Sequence, residues 1–359
     1  MHKHLFTPVT FGELQLANRI VMAPMTRNRA REDGVPTDLM VGYYAARADA
    51  GLIVAEGTWP RVTGQAYCRQ PGIETMAQID GWRRVTDAVH ARGGKIVLQI
   101  MHSGRIGSRF IKPAGVETVA PSALQAEGEI FTDAAGMQPY DTPRALSTDE
   151  VRAVVHEHRL AAIRAREAGF DGVELHGTSG YLPMQFLCSG TNLRDDEYGG
   201  NLANRARFMS ECLAAMADGI GAGRVGLRMN PGNTYNGTSD EDSAASHAAV
   251  MRQAAALGIA YLHVMRAPVP EIDAFALARE QFGEALILND GLDGEGAEAL
   301  LTAGEGQAVS FARHYIGNPD LVARLREGAA LARFDRKTLY TAGPAGYTDY
   351  PAMGASVAR

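Results

Sequence analysis

Uninterrupted hydrocarbon is missing from this chain. No apolar run approaches the roughly 20 residues that a membrane-crossing helix needs, so no membrane partner is expected. The opening stretch MHKHLFTPVTFG lacks the apolar h-region of a secretory signal. Cysteine is scarce as well. Cys68, Cys188 and Cys212 form neither an even-numbered framework nor a ligand-like spacing, which argues against a disulfide scaffold and a cysteine-built zinc site. A reducing cytoplasm is the compartment such a chain fits. Charge of one sign is not concentrated either: 35 basic and 41 acidic residues leave a net charge of -6, spread evenly. Without a basic stripe, nucleic acid is not an expected partner. Low-complexity segments are absent.

What is present is an alternation of two periodicities. Short β-branched runs are each followed by a longer amphipathic run. The runs predict strands over 19–25, 51–58, 95–102, 171–178, 224–231, 259–265, 284–291 and 307–314. Helices are predicted over 40–48, 80–92, 148–168, 204–220, 240–257, 270–280, 294–303 and 318–327. The third helix carries a start signal, Ser147 with Glu150 three residues on, and Gly169 ends it. Alternation of this kind predicts one α/β unit over residues 1–359, a (β/α)₈ TIM barrel. A doubly wound sheet is the rival, but it rarely repeats the unit so often without a break. The connection after the third strand is about 45 residues long, more than a structureless loop in a compact domain usually spans. A small hairpin lying over the barrel mouth as a partial lid is expected there.

Barrel strands turn alternate side chains to the interior. On the third strand Ile96, Leu98 and Ile100 group together, which sets Val97, Gln99 and Met101 on the other face. On the fourth, Val173 and Leu175 oppose Glu174 and His176. On the fifth, Val225, Leu227 and Met229 oppose Gly226, Arg228 and Asn230. Gln99, Glu174, His176 and Arg228 are therefore expected inside, toward the C-terminal strand ends where barrel active sites sit. A barrel interior is normally filled with Val, Ile and Leu, and buried ions without partners are costly. The bland alternative is a Glu174–Arg228 ion pair with satisfied neighbours.

The last two strands add a second signal. LILNDGLDGEGAEAL sets Asn289, Asp290 and Gly291 between the seventh strand and a helix, and VSFARHYIGNPDLVARL sets Ala312 and Arg313 at the end of the eighth. Small residues let backbone N–H groups approach an anion, and barrel phosphate sites form at these two loops. Arg313 would add a bidentate, charge-assisted contact. A phosphate there, with Arg228 and Gln99 deeper, points to a phosphorylated cofactor lying across the mouth. Reduced flavin mononucleotide fits, because the edge of its ring facing Arg228 gains negative charge.

Several longer stretches carry a resemblance: LFTPVTFGELQLANRIVMAPMTR, AREAGFDGVELHG, NLRDDEYGGNLANRARF, NPDLVARL and GYTDYP. Over nearly its whole length the chain resembles the old yellow enzyme family of FMN-dependent ene-reductases, of the bacterial pentaerythritol tetranitrate reductase kind. The resemblance implies that Pro24, Met25 and Thr26 lie against the flavin ring and that Gly57 is the small residue near its pyrimidine end. It implies contacts to that ring from Gln99 and Arg228, and to the phosphate from Arg313. His176 would be the first side chain clamping the substrate oxygen, Ser179 the second, and Tyr181 the proton donor. Tyr67, Met101 and Tyr347 would line the substrate pocket. The implied reaction takes a hydride from NADPH or NADH through FMN to an electron-poor alkene (an enone, maleimide or nitroalkene), with protonation by Tyr181. Nitrate esters, nitro compounds or quinones are alternative substrates, and a non-catalytic flavin-binding protein is the alternative from another class. A monomer or homodimer is expected.

Two positions depart from the family pattern. Ser179 stands where Asn or His is usual, and Met101 where Trp is usual; a shorter donor and a smaller, adaptable side chain should enlarge the pocket. Ala312 replaces a common glycine. Rival barrel chemistries find no support. The lysines are Lys3, Lys95, Lys112 and Lys337, none at a strand's C-terminal end where a Schiff base would form. His156 and His158 sit two apart on a helix, cannot share a face, and read as surface residues, so no metal site is expected.

Overall fold

The structure is a computed structural model that describes residues 3–289 and 291–354. Eight parallel strands close into a barrel: β1 (Ile20–Met22), β2 (Leu52–Thr58), β3 (Ile96–Ile100), β4 (Gly172–Gly177), β5 (Val225–Met229), β6 (Tyr261–Met265), β7 (Leu286–Asn289) and β8 (Ala308–Phe311). Each is followed by a helix: α1 (Asp38–Ala45), α2 (Met76–His90), α3 (Thr148–Glu167), α4 (Leu202–Ile220), α5 (Ser243–Leu257), α6 (Ala274–Gln281), α7 (Gly294–Thr302) and α8 (Leu321–Glu327). Each expected segment is found, with strands shorter than the apolar runs. The eighth is the clearest case. Its ladder stops at Phe311, and Arg313, expected in the strand, opens a short helix, Arg313–Gly317.

The helix ends follow local chemistry. Ser147 and Glu150 form the expected capping box on α3, and Thr75 and Gln78 form a second on α2. The buried face of α3 runs through Val151, Val154, His158, Ala161, Ala162 and Ala165, the spacing of one helical stripe. His158 is on that stripe and fully buried, not at the surface; its Nδ1 lies 2.8 Å from the Val154 carbonyl.

Inside the barrel the layers separate by chemistry. Near the strands' N-terminal ends, Val21, Leu52, Val54, Val97, Tyr261, Ile287 and Ala308 form an apolar plug. It is completed by Phe11, Leu14 and Leu16 from a hairpin of Val9–Phe11 and Leu14–Leu16 that the strand pattern did not include. Burying each of these three side chains stabilises the closed end by roughly 1.5–3 kcal/mol. The hairpin turn uses Gly12 at φ +54°, where an added Cβ would lie 2.5 Å from the Gly223 carbonyl oxygen.

The long excursion after β3 contains an antiparallel hairpin, Glu129–Thr132 with Gly136–Pro139. A two-residue parallel pairing of Val119–Ala120 with Arg144–Ala145 ties the ends of the excursion together. The hairpin stands beside the barrel mouth, and Glu129, Ile130 and Phe131 form one wall of a cavity there. Among the described residues no helix is long and apolar enough to cross a membrane.

Replacing Gly12 by Ala should destabilise the protein by about 1–3 kcal/mol, because a left-handed residue with a Cβ meets backbone at a fixed contact. Urea unfolding measures it; a variant as stable as the wild type would show that the hairpin does not seat against the Gly223 loop.

Candidate active site

Above the apolar plug the barrel interior is polar. In register, Glu174 stands opposite Gln99, His176 opposite Arg228, and Arg228 opposite His263. Glu174 accepts from the Gln99 amide at 2.8 Å and from His263 Nδ1 at 2.9 Å. The Arg228 guanidinium donates to Asn289 Oδ1 at 2.7 Å and to the unprotonated His263 Nε2 at 2.5 Å. His263 Nε2 meets the Ser310 hydroxyl at 2.7 Å. Burial alone would raise the Glu174 carboxyl, but the His263 ring, the Arg228 charge and the Gln99 amide outweigh it and hold the pKa below the usual carboxylate range. Burial and the Arg228 charge together push His263 down to about 4. A neutral imidazole thus bridges a buried carboxylate and a buried guanidinium.

His263 and Ser310 were not singled out from sequence. The same alternation that exposes Glu174 would have found them: Tyr261 and His263 share the inner face of β6, as Ala308 and Ser310 share that of β8. Asn289, expected near a phosphate, turns its side chain inward to Arg228 and to the Ser310 carbonyl, 3.1 Å away.

At the end of β4 the chain turns sharply. His176 is 8% exposed, and its Nδ1 accepts from the Thr178 backbone N–H at 3.3 Å. A backbone N–H can only donate, so the neutral ring keeps its hydrogen on Nε2. Burial first, then Arg228, lowers the His176 pKa to about 3. Ser179 follows at φ +57°, a left-handed residue. Its backbone is held by Asn236, which donates to the Ser179 carbonyl at 2.8 Å, and its hydroxyl lies 3.1 Å from that of Thr178. Tyr181 then precedes a short helix, Leu182–Leu187, and the Gln185 amide ties the turn back to the Gly180 and Ser103 carbonyls.

Tyr181 meets the His176 ring edge-on, with centroids 4.9 Å apart. Its hydroxyl lies 2.6 Å from that of Tyr67. Burial pushes the Tyr181 phenol well above its usual range, and the hydrogen bond from Tyr67 works against that rise. Both hydroxyls belong to a cavity of about 780 Å³ lined also by Thr26, Asn28, Tyr140, Tyr235 and Tyr340. Tyr140, Tyr235 and Tyr340 sit on loops with no helical or strand pattern to place them, which is why sequence reasoning passed over them.

Tyr347 is not in that wall, which corrects the expectation from sequence. It is fully buried, stacked on Tyr43 at 4.0 Å, and lies under the guanidinium groups of Arg27 and Arg29. Two buried cations need a π face and carbonyl oxygens close by, and Tyr347 supplies the former; Tyr340 takes the cavity position. Met101 is buried against Ala66, Ile106, Ala126 and Tyr181. It also accounts for Gly57: a Cβ there would lie 2.6 Å from the Met101 sulfur. Pro24 and Met25 are half-buried just before Thr26. Of the phosphate candidates, Gly291 sits at φ +67° with nothing within 4 Å of an added Cβ. Ala312 precedes the short helix that Arg313 opens, and Arg313 is exposed. Asp290 lies outside the described residues.

Comparison with known proteins agrees with this geometry. The model of the NADH:flavin oxidoreductase / NADH oxidase family matches residues 4–332. A probable flavin mononucleotide-dependent alkene reductase of Leishmania infantum is 42% identical over 355 residues, 97% of each chain. The solved structure of morphinone reductase in complex with tetrahydroNAD superposes with a TM-score of 0.94 at 44% identity, covering 98% of both chains. An old yellow enzyme homologue from Zymomonas mobilis superposes at 0.93 with 39% identity, covering 97% of this chain and 99% of its own.

The neutral His176 makes a pH prediction. The folded ring takes a proton only near pH 3, against 6.5 for an unperturbed one. Its contribution to stability is therefore complete above about pH 6.5 and is lost as pH falls toward 3. Relative to His176→Gln, the wild type should lose about 2–3 kcal/mol of unfolding free energy between pH 7.5 and pH 4.5. Chemical denaturation of both proteins at the two values measures it, and a pH-independent difference would mean the ring is solvated.

Proposed function

The chain belongs to the NADH:flavin oxidoreductase / NADH oxidase family, the old yellow enzymes, and is an FMN-dependent alkene reductase driven by NADH or NADPH; on that premise we propose how its own residues divide the work.

The upper barrel presents a donor set suited to the pyrimidine edge of a flavin. Arg228 and Gln99 are there, and the buried Asn230 amide nitrogen has no hydrogen-bond partner among the described residues. Thr26 brings a hydroxyl to the same mouth. We assign Gln99 and Arg228 to that edge, Pro24, Met25 and Thr26 to the ring, and Gly57 to the small position beside it. The backbone around Gly291 and Ala312, with Arg313 and with Asn289 behind it, we assign to the phosphate, together with Asp290. Held by these residues, FMN would supply the hydride that NADH or NADPH provides and the electron-poor carbon of the alkene accepts. A guanidinium at that edge would suit a group whose negative charge grows on reduction.

The substrate side falls to the turn after β4. His176 offers its Nε2 hydrogen to the oxygen that activates the double bond, and Ser179 adds its hydroxyl. Because the ring stays neutral, its role is donation of a hydrogen bond and not of a whole charge. Tyr181 gives the proton to the α-carbon. The observation that carries this assignment is the 2.6 Å contact between the Tyr67 and Tyr181 hydroxyls. As Tyr181 loses its proton, the phenolate forms in a buried place and needs a donor. The Tyr67 hydroxyl is that donor and turns its hydrogen toward the Tyr181 oxygen. Enones, maleimides and nitroalkenes are the substrates with both features, an activating oxygen and a carbon that takes a proton.

An anaerobic titration tests the reading: NADPH or NADH bleaches the yellow enzyme and an enone restores the colour. In Tyr181→Phe the recovery should slow by about 10²–10⁴ for substrates that need protonation, and in Tyr67→Phe by roughly tenfold. Bleaching by the nicotinamide should be unchanged in both; a parallel fall would assign the pair to nicotinamide binding instead.

Ser179→Asn brings a longer donor to a left-handed position that asparagine adopts more readily than serine. It should tighten binding of a phenol, read as a stronger long-wavelength charge-transfer band on the flavin. An unaltered dissociation constant would place residue 179 away from the ligand oxygen.

A further inference from the structure

The stretch after β1 alternates between two jobs. Thr26 and Asn28 line the cavity at the barrel mouth, while Arg27 and Arg29 are 1% and 2% exposed and turn into the protein. What they hold is a strap of C-terminal chain. From residue 339 to 346 this segment forms no strand or helix, so its carbonyl oxygens have no ladder to join and must find other donors. Arg29 supplies several of them. It donates to the carbonyls of Thr338 at 2.8 Å, Leu339 at 2.7 Å, Ala345 at 3.0 Å and Gly343 at 3.3 Å, and to the Thr341 hydroxyl at 3.2 Å. Arg27 adds the carbonyls of Leu339 at 3.1 Å and Gly346 at 2.7 Å.

The strap is also the cavity's outer wall, through Tyr340, Thr341 and Ala342. Tyr340 is 60% exposed, so packing of its own ring does not set its place; the anchored backbone does. The cavity of about 780 Å³, part of which a flavin at Thr26 would fill, runs from Tyr67 and Tyr181 to this wall, a span suited to a ligand longer than a single ring.

We propose that Arg29 is a specificity-determining positioning residue: by pinning the strap it fixes the Tyr340 wall and selects alkenes that carry a second ring or a comparably large flat substituent. This rests on the assignment of the cavity as the substrate site. Small alkenes held at the His176–Tyr181 end do not reach the wall and are indifferent to it. Arg29 touches neither the reacting atoms nor their donors. A guanidinium is needed because its fork serves several carbonyls at once, which an ammonium group cannot match.

The test is a matched pair, maleimide and N-phenylmaleimide, which share the reacting double bond and differ by one ring. Steady-state rates are measured anaerobically with NADPH on FMN-loaded wild type, Arg29→Met, Arg29→Lys and Tyr340→Ala. In Arg29→Met the ratio of kcat/KM for N-phenylmaleimide over maleimide should fall about tenfold, mainly through KM. Arg29→Lys should lie between that variant and the wild type, and Tyr340→Ala should lower the same ratio. The proposal is overturned if the Arg29 variants lose both substrates in proportion, or if Tyr340→Ala leaves the ratio at the wild-type value; the latter decides the matter even where Arg29→Met fails to fold. Wild-type enzyme that takes up flavin yet reduces neither maleimide overturns the reductase reading, and the wall assignment with it.

Discussion

A guanidinium in the middle of a closed barrel has to be compensated, and the upper half of this barrel is arranged around that requirement. Arg228 stands on β5 with His263 beside it in register and Asn289 within hydrogen-bond reach. Glu174 carries the opposite charge one neighbour away, through the His263 ring. Removing one member of such a set leaves a buried charge exposed to low dielectric, a loss of about 3–5 kcal/mol. Replacing all of it with hydrocarbon would be near neutral for stability. Stability therefore does not explain why the charges are there. The proposed flavin site, which would have to favour a reduced, anionic ring, does.

The same charge sets the chemistry of the mouth. Burial and Arg228 together keep His176 unprotonated, so in the proposed clamp it would act by a hydrogen bond whose direction is fixed by the Thr178 backbone. The turn that carries His176, Ser179 and Tyr181 is rigid for local reasons: a left-handed Ser179 tied by Asn236, and a Gln185 amide stitched to two carbonyls. Tyr67 approaches from a different loop and pairs its hydroxyl with that of Tyr181. Ser179 lies in the turn itself, and Met101 is buried against Tyr181. Met101 fills the space above Gly57, and the polar set around Arg228 draws on neither residue.

The arginines after β1 solve a separate problem. A C-terminal segment without regular structure cannot satisfy its own backbone, and guanidinium groups are the side chains with enough donors in one plane to do so. The consequence reaches the substrate cavity, because the strap they hold is also its outer wall. It also explains why Tyr347 is buried: its ring lies against these cations instead of facing a ligand.

The barrel was legible in the sequence because alternation with a period of two, followed by helical periodicity, is a local signal. The same alternation correctly turned Gln99, Glu174, His176 and Arg228 inward. It failed where order does not come from the chain's own period. The plugging hairpin of Val9–Phe11 and Leu14–Leu16 is too short to announce itself. The aromatic wall of Tyr140, Tyr235 and Tyr340 is assembled from three loops. Which of Tyr340 and Tyr347 faces the cavity is settled by Arg27 and Arg29, more than 300 residues away along the chain. By itself the sequence determined the fold, the inner faces of the third, fourth and fifth strands and the kind of cofactor. Only the tertiary structure decided that His263 joins the buried charges, that Tyr67 pairs with Tyr181, and how far the cavity extends. Periodicity reports the solvent side of an element, whereas contacts between loops depend on where the closed barrel brings them.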